Sequence, residues 1–222
     1  MTPRPHLTRD RIVDAAARVA DRSGLAGVSM RSVGKELGVE AMSLYHHLAG
    51  KDELLDGLAD WYFTAVTLPA LDDPWRPAMA ARAGSARRAL GRHPWALGLV
   101  ESRRSPGPAL LRHHDTVLGC LRRNGFTVAL AAHAFSAIDA YVYGFVLTEL
   151  NLPMTQGERA DDLVAEMGLP AADYPHLAEM VAEQVVGRDY AYADEFEFGL
   201  GIILDGLAEH LEAARHGEGS TR

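Results

Sequence analysis

Cysteine is almost missing from this chain: Cys120 stands alone among 222 residues. One thiol cannot make an internal disulfide, so packing alone must hold the fold, as expected in a reducing cytoplasm. No run of eighteen apolar residues occurs, which argues against a membrane span. The opening segment MTPRPHLTRD lacks an apolar signal core, which argues against secretion. Catalytic signatures are missing too. There is no glycine-rich phosphate loop, no nucleophile elbow, and no Cys-x-x-Cys or His-x-x-x-His pair. The expectation is therefore a cytoplasmic non-enzyme with no cofactor and no metal. The histidine pairs do not alter this. His46 and His47, like His113 and His114, are sequence neighbours, which point about 100° apart on a helix and rarely share one ion. Cys120 and His114 lie six apart with no third group to orient them, so they are not a nucleophile–base pair.

What is present is apolar residues at helical spacing and an uneven charge. Hydrophobic residues make up 48% of the chain, enough for one large or two small cores. The net charge is −8. Residues 1–51 hold eight Lys/Arg against five Asp/Glu, a net of +3, and the remainder holds fourteen against twenty-five, a net of −11. A mild basic excess at one end suits attraction to phosphate there and discourages it elsewhere, although ordinary scatter also produces +3.

The apolar spacing predicts a first helix over Thr8–Ser23, with Ile12, Ala15, Ala16 and Val19 inward, Thr8 as cap and Gly24 as stop. A second runs from Ser29 to Leu37 and a third from about Glu40 to Leu48, separated by Gly38. Two short helices joined by a tight glycine turn are the sequence form of a helix-turn-helix. A fourth starts at Lys51, with Asp52 and Glu53 in its first turn, and runs to about Thr67. Further helices are expected near 75–91, 95–102, 107–124, 127–150, 174–187 and 194–214, punctuated by Pro94, Pro106, Pro153 and Pro175. No stretch alternates with period two. The segment 153–172 reads as loop with a short helix, and the tail HGEGSTR as unstructured.

The stretches LTRDRIVDAA and GVSMRSVGKELGVEAMSLYHHLAGKDELLDGL together resemble the TetR family of transcriptional regulators. SLYHHLAGKDELLDGL is similar to that family's junction of third and fourth helices. Far along the chain, NGFTVALAAHAFSAIDAYVYGFVL (124–147) resembles its long dimer-forming helix, and FEFGLGIILDGL (196–207) its last helix. Residues 68–120 are not diagnostic. The resemblance implies an all-α homodimer. A three-helix DNA-binding domain would occupy 1–67, with the fourth helix as connector, and a larger helical ligand-binding and dimerisation domain 68–222. Such a dimer reads a palindromic double-stranded DNA operator and, as a repressor, leaves it when a small-molecule effector moves the fourth helix.

Carried onto this sequence, Ala41, Met42, Ser43, Tyr45, His46 and His47 fall on the reading helix. Ala41 and Met42 suit thymine methyls, Ser43 a base or a phosphate, and Tyr45 and His47 phosphate. Arg31 would reach a guanine edge or a phosphate, Ser29 lies beside it, and Lys51 at a helix N-terminus makes a phosphate site. The alternative for each is packing or solvation. The reading helix lacks Arg, Asn and Gln, which shifts expected readout toward apolar contact and shape. Arg4 and Arg9 lie in or beside an N-terminal arm.

Candidate pocket residues are Trp61, Trp95, His114, His133, Phe135, Tyr141 and Tyr143, with ordinary core or dimer contact as the alternative. Tyr141 and Tyr143 cannot face the same side of one helix. Phe196, Leu200, Ile203 and Leu207 form a stripe suited to a four-helix dimer interface or to burial within one subunit. Tetracycline repressors hold drug through magnesium and a loop histidine, but SRRSPGPA has none here, so that site is not expected. The competing reading is a helical small-molecule-binding protein or enzyme without sequence-specific DNA binding.

Overall fold

A computed structural model of the protein describes residues 6–100, 102, 106–152, 164–166, 168–188 and 190–219. Every regular element among them is helical. Arg4, most of the 153–172 segment and the end of the tail lie outside the described residues.

The head is built by caps and glycines. Helix α1 (Arg9–Ser23) starts where the Thr8 hydroxyl accepts from the Arg11 amide, and stops at Gly24, whose φ is 63°. Helix α2 (Met30–Leu37) opens on a reciprocal cap: Ser29 Oγ accepts from the Ser32 amide at 3.1 Å, and Ser32 Oγ accepts from the Ser29 amide at 2.9 Å. Gly38 ends it in the left-handed region at φ 68°. Helix α3 (Ala41–Leu44) is shorter than its sequence pattern. From Tyr45 the backbone tightens, with the His47 amide bonding the Leu44 carbonyl three residues back. Helices α2 and α3 cross at Gly34, where a Cβ would sit 2.9 Å from the Val39 carbonyl oxygen and 3.2 Å from the Ala41 nitrogen. Glu36 of α2 is clamped by Arg18 at 2.9 Å and Arg22 at 2.6 Å from α1. Those hydrogen bonds hold its carboxyl below the usual range.

Helix α4 (Lys51–Thr64) packs against α1 on one side and the body on the other. It ends earlier than its pattern because the chain turns away and the Thr67 amide bonds Ser85 Oγ at 2.9 Å. The body comprises α5 (Trp75–Arg92), the short α6 (Ala96–Val100), α7 (Pro108–Arg123), α8 (Val128–Leu150), α9 (Pro175–Gln184) and α10 (Glu195–Gly219). Helix α10 runs beyond its expected end, into the tail that reads as unstructured. Pro108 and Pro175 each open a helix, where a missing amide hydrogen costs nothing. One continuous apolar cluster joins head and body, from Ile12 and Val33 through Leu54 and Leu58 to Leu121, Ile138 and Phe196.

Within that cluster sits a guanidinium. Arg82 of α5 is 2% exposed. Its Nη2 donates to Asp139 Oδ1 of α8 at 2.6 Å, and its Nη1 lies 3.0 Å from His113 Nε2 of α7. An arginine only donates, so His113 accepts and carries its proton on Nδ1. That Nδ1 and Arg82 Nε have no partner among the described residues. Burial, and then the Arg82 charge, push the His113 pKa down to about 3.

Two outcomes follow for stability. Gly34→Ala should cost about 1–3 kcal/mol through overpacking at the α2–α3 crossing, and Gly38→Ala about 1 kcal/mol through its left-handed backbone, both read as midpoint shifts in urea unfolding. Acid should also weaken the fold through His113. The unfolded ring takes a proton near 6.5 while the folded ring resists it down to about 3. Stability is therefore lost as pH falls through that window, by at most about 1.4 kcal/mol per pH unit for this group. His113→Phe should be less stable at neutral pH but flatter between pH 6 and 4; an unchanged slope in urea melts would refute the assignment.

Candidate functional site

The capped α2 and the glycine crossing present one face of the head to solvent. Met42 is 72% and Tyr45 49% exposed, and His46 and His47 are exposed beside them. Arg31 projects from α2, and exposed Lys51 begins α4 just after Gly50. Three other residues of the expected set are less open to solvent. The Ser29 hydroxyl is committed to the α2 cap. Ala41 packs half-buried against the core at the Gly34 crossing, and Ser43 is half-buried. Arg9 lies 3.6 Å from Glu53.

The body holds a cavity of about 570 Å³. Phe63 of α4 and Val100 of α6 form one side, Leu110 and His114 of α7 another, and Phe135, Asp139 and Tyr143 of α8 the third. Three residues proposed from sequence, His114, Phe135 and Tyr143, thus meet. His114 and Phe135 are edge to face at 4.6 Å, and burial lowers the His114 pKa.

Four others lie elsewhere. Trp61 borders a separate cleft between α1 and α4, with its Nε1 donating to Asp14 at 2.9 Å. Trp95 is buried and donates to Asp21 at 2.7 Å. His133 is exposed on another face of α8. Tyr141 turns away from Tyr143, toward α10, and donates to the Phe196 carbonyl at 3.0 Å. Sequence reasoning missed Phe63, Asp139 and the Arg82–His113 pair behind the wall. The available signal was a charge inside an apolar stripe: Arg82 between Met79 and Ala83, Asp139 beside Ile138.

Polar contacts tie the cavity helices to the head. Asp21 of α1 lies 2.7 Å from Nδ1 of His93 and bonds Trp95, the two residues that flank Pro94 just before α6. Asp60 of α4 accepts from the Ala109 and Leu110 amides at 2.8 and 3.0 Å, capping α7. Gly107 is required there, since a Cβ would meet the Asp60 carboxyl at 2.3 Å.

The stripe expected at a dimer interface is corrected by its burial. Phe196, Leu200 and Leu207 are buried inside the subunit and Ile203 is half-buried, with Phe196 packed on Phe145 at 5.1 Å. Helical period identified an apolar face, and α8 of the same chain covers it. The exposed large apolar residues of these two helices are Val128, Leu147 and Leu150 of α8, and Phe198 and Ile202 of α10. By length and composition alone α8 would also cross a membrane, but one side of it packs on α5, α7 and α10. No group of three or more metal-ligating side chains converges among the described residues.

This geometry has known counterparts. Residues 12–58 match the model of bacterial regulatory proteins of the tetR family, and residues 68–211 match the tetracyclin repressor-like C-terminal domain. The HTH-type transcriptional repressor DrrR1 of Streptomyces coeruleorubidus is 39% identical over 97% of this chain and 82% of its own length. The class A tetracycline repressor from transposon 1721 of Escherichia coli is 29% identical over 96% of each chain. Among solved structures, ActR of Streptomyces coelicolor in complex with actinorhodin superposes with a TM-score of 0.75 at 29% identity, covering 94% of this chain and 97% of that one. With both domains matched across most of its length, the chain belongs to the tetR family of bacterial regulatory proteins.

Proposed function

We propose that this regulator is a repressor that two copies deliver to a palindromic DNA operator, and that a small molecule entering the body cavity releases it. One observation carries the reading: the cavity is walled by α4, α6 and α7, the helices that Asp60 and Asp21 bind to one another and to the head. An occupant that shifts α6 or α7 acts on α1 and α4 through short hydrogen bonds rather than through a flexible linker. Coupling of about 1–3 kcal/mol per site changes operator affinity several-fold to over a hundred-fold. ActR, known in complex with actinorhodin, supports a cavity that takes a small molecule.

A second copy of the chain is the natural cover for the exposed Leu147, Leu150, Phe198 and Ile202, and two-fold symmetry in the protein matches a palindrome in DNA. On the head, Met42 meets base edges while Tyr45, His47, Arg31 and Lys51 hold phosphate. Ser29, Ala41 and Ser43 support that surface from behind, and His46 lies at its rim. A reader of chromosomal DNA of this kind works in the cytoplasm. The enzymatic alternative has no comparable support, since the matched relatives are regulators.

Selection of bound duplexes from a random library at fixed salt should enrich a palindrome of two half-sites; a folded protein that enriches none would overturn the reading. On the selected operator, Lys51→Ala should weaken binding equally across sequence variants and lower the slope of log K against log salt by about one. Met42→Ala should leave that slope unchanged and relax discrimination at one base position per half-site, read in the same titrations.

A further inference from the structure

The cavity's chemistry narrows the kind of molecule it takes, and the narrowing rests on reading that cavity as the effector site. Four of the nine described lining residues carry rings, Phe63, His114, Phe135 and Tyr143, and they stand beside apolar Val100 and Leu110. The rings meet at steep angles, 87° for His114 on Phe135 and 71° for Phe63 on His114, so they offer faces and edges to a flat guest. A volume of about 570 Å³ suits a molecule of several fused rings.

Charge decides the rest. Asp139 is the one charged side chain among the described lining residues and is 16% exposed. Its Oδ1 is taken by Arg82, and its Oδ2 has no partner among the described residues. Arg82 sits behind the wall, 5.4 Å over the Phe135 ring, and balances the carboxylate. A cationic guest would add a second, unbalanced positive charge beside a buried guanidinium. An anionic guest would meet the carboxylate oxygen first. His114 adds no positive charge to recruit an anion, because burial favours its neutral ring. A neutral donor alone satisfies the carboxylate oxygen without unbalancing the pair, and a hydrogen bond to a charged acceptor is stronger than one between neutral groups.

We infer that the effector is a neutral, flat, polycyclic aromatic molecule whose hydroxyl donates a hydrogen bond to Asp139. Asp139 sets specificity, and Arg82 positions it from behind.

The test uses the full chain and three probes on one ring system: 9-phenanthrol, 9-methoxyphenanthrene and phenanthrene-9-carboxylate, with dissociation constants from titration calorimetry. The phenol should bind at least about tenfold tighter than the ether, and the carboxylate weakest. Ala140→Leu, at the cavity wall, should weaken all three. Asp139→Leu combined with Arg82→Met removes both charges together and leaves no acceptor at that position, so the preference for phenol over ether should disappear. Equal binding of phenol and ether, tightest binding of the carboxylate, or a phenol preference that survives in the double variant would overturn the role of Asp139 while leaving the cavity as the effector site. Should the double variant fail to fold, the three probes on the native chain and on Ala140→Leu still decide. Binding of none of the probes, or binding indifferent to Ala140→Leu, would overturn the cavity as the effector site as well.

Discussion

Three helices of the body meet on one buried cation. Moving a guanidinium out of water costs several kcal/mol, and only close partners repay it. Arg82 finds them on two different helices, the carboxylate of Asp139 on α8 and the neutral ring of His113 on α7. Apolar side chains along α5, α7 and α8 tolerate small sliding, whereas a charged hydrogen bond of 2.6 Å does not. The contact therefore sets the register of three helices that apolar packing would leave looser. Losing Asp139 would leave the guanidinium buried with only a neutral ring beside it, a penalty of about 3–5 kcal/mol. The same contact gives the cavity its polarity, because one carboxylate oxygen is turned to Arg82 and the other is left for a guest. Stability and recognition thus share an atom pair, and His113 Nδ1, without a partner among the described residues, marks what that arrangement concedes.

Helix α4 belongs to both halves of the molecule. Leu54 and Leu58 are fully buried with the head and body in one cluster, and Phe63 on the same helix faces the cavity. Packing of this kind moves as a unit, because interiors are too dense to deform gradually. The carboxylates Asp14, Asp21 and Asp60 add direction to it. Each accepts from a donor on another helix or its flanking turn, so displacement of α6 or α7 has a defined path to α1. Of these three only Asp60 belongs to the acidic excess beyond residue 51, so at least one member of that excess has a structural duty as well as repelling DNA from the body.

The local features were legible in the sequence because local rules govern them. Ser29, Gly24 and Gly38 end or begin helices for reasons contained within a few residues, and their caps lie where composition puts them. The 200° between Tyr141 and Tyr143 follows from helix geometry alone, and one faces the cavity while the other faces α10. The pocket was only partly legible. Trp61 and Trp95 have the composition of pocket residues, yet each ring nitrogen finds an aspartate on α1, and that partner is distant in sequence. The stripe of Phe196, Leu200 and Leu207 shows the same limit. Spacing identifies an apolar face, but which helix covers it depends on the tertiary arrangement.

The proposed reading surface gives a physical reason for pairing two heads. Helix α3 is a single turn continued by a tightened one, and it leaves Met42, Tyr45 and two histidines exposed without an arginine among them. Bidentate arginine contacts supply much of the discrimination in other readers, about 1–3 kcal/mol each. A net charge of +3 over residues 1–51 attracts phosphate only modestly, and the acidic body adds nothing to that. The proposed dimer removes the difficulty without any new contact, because the second head binds from the high effective concentration set by the first. The benefit holds only while the spacing of the heads matches the half-sites. A weak reader joined to a rigid body is therefore sensitive to small movements of α4, and a surface rich in arginine would hold DNA through the same movement.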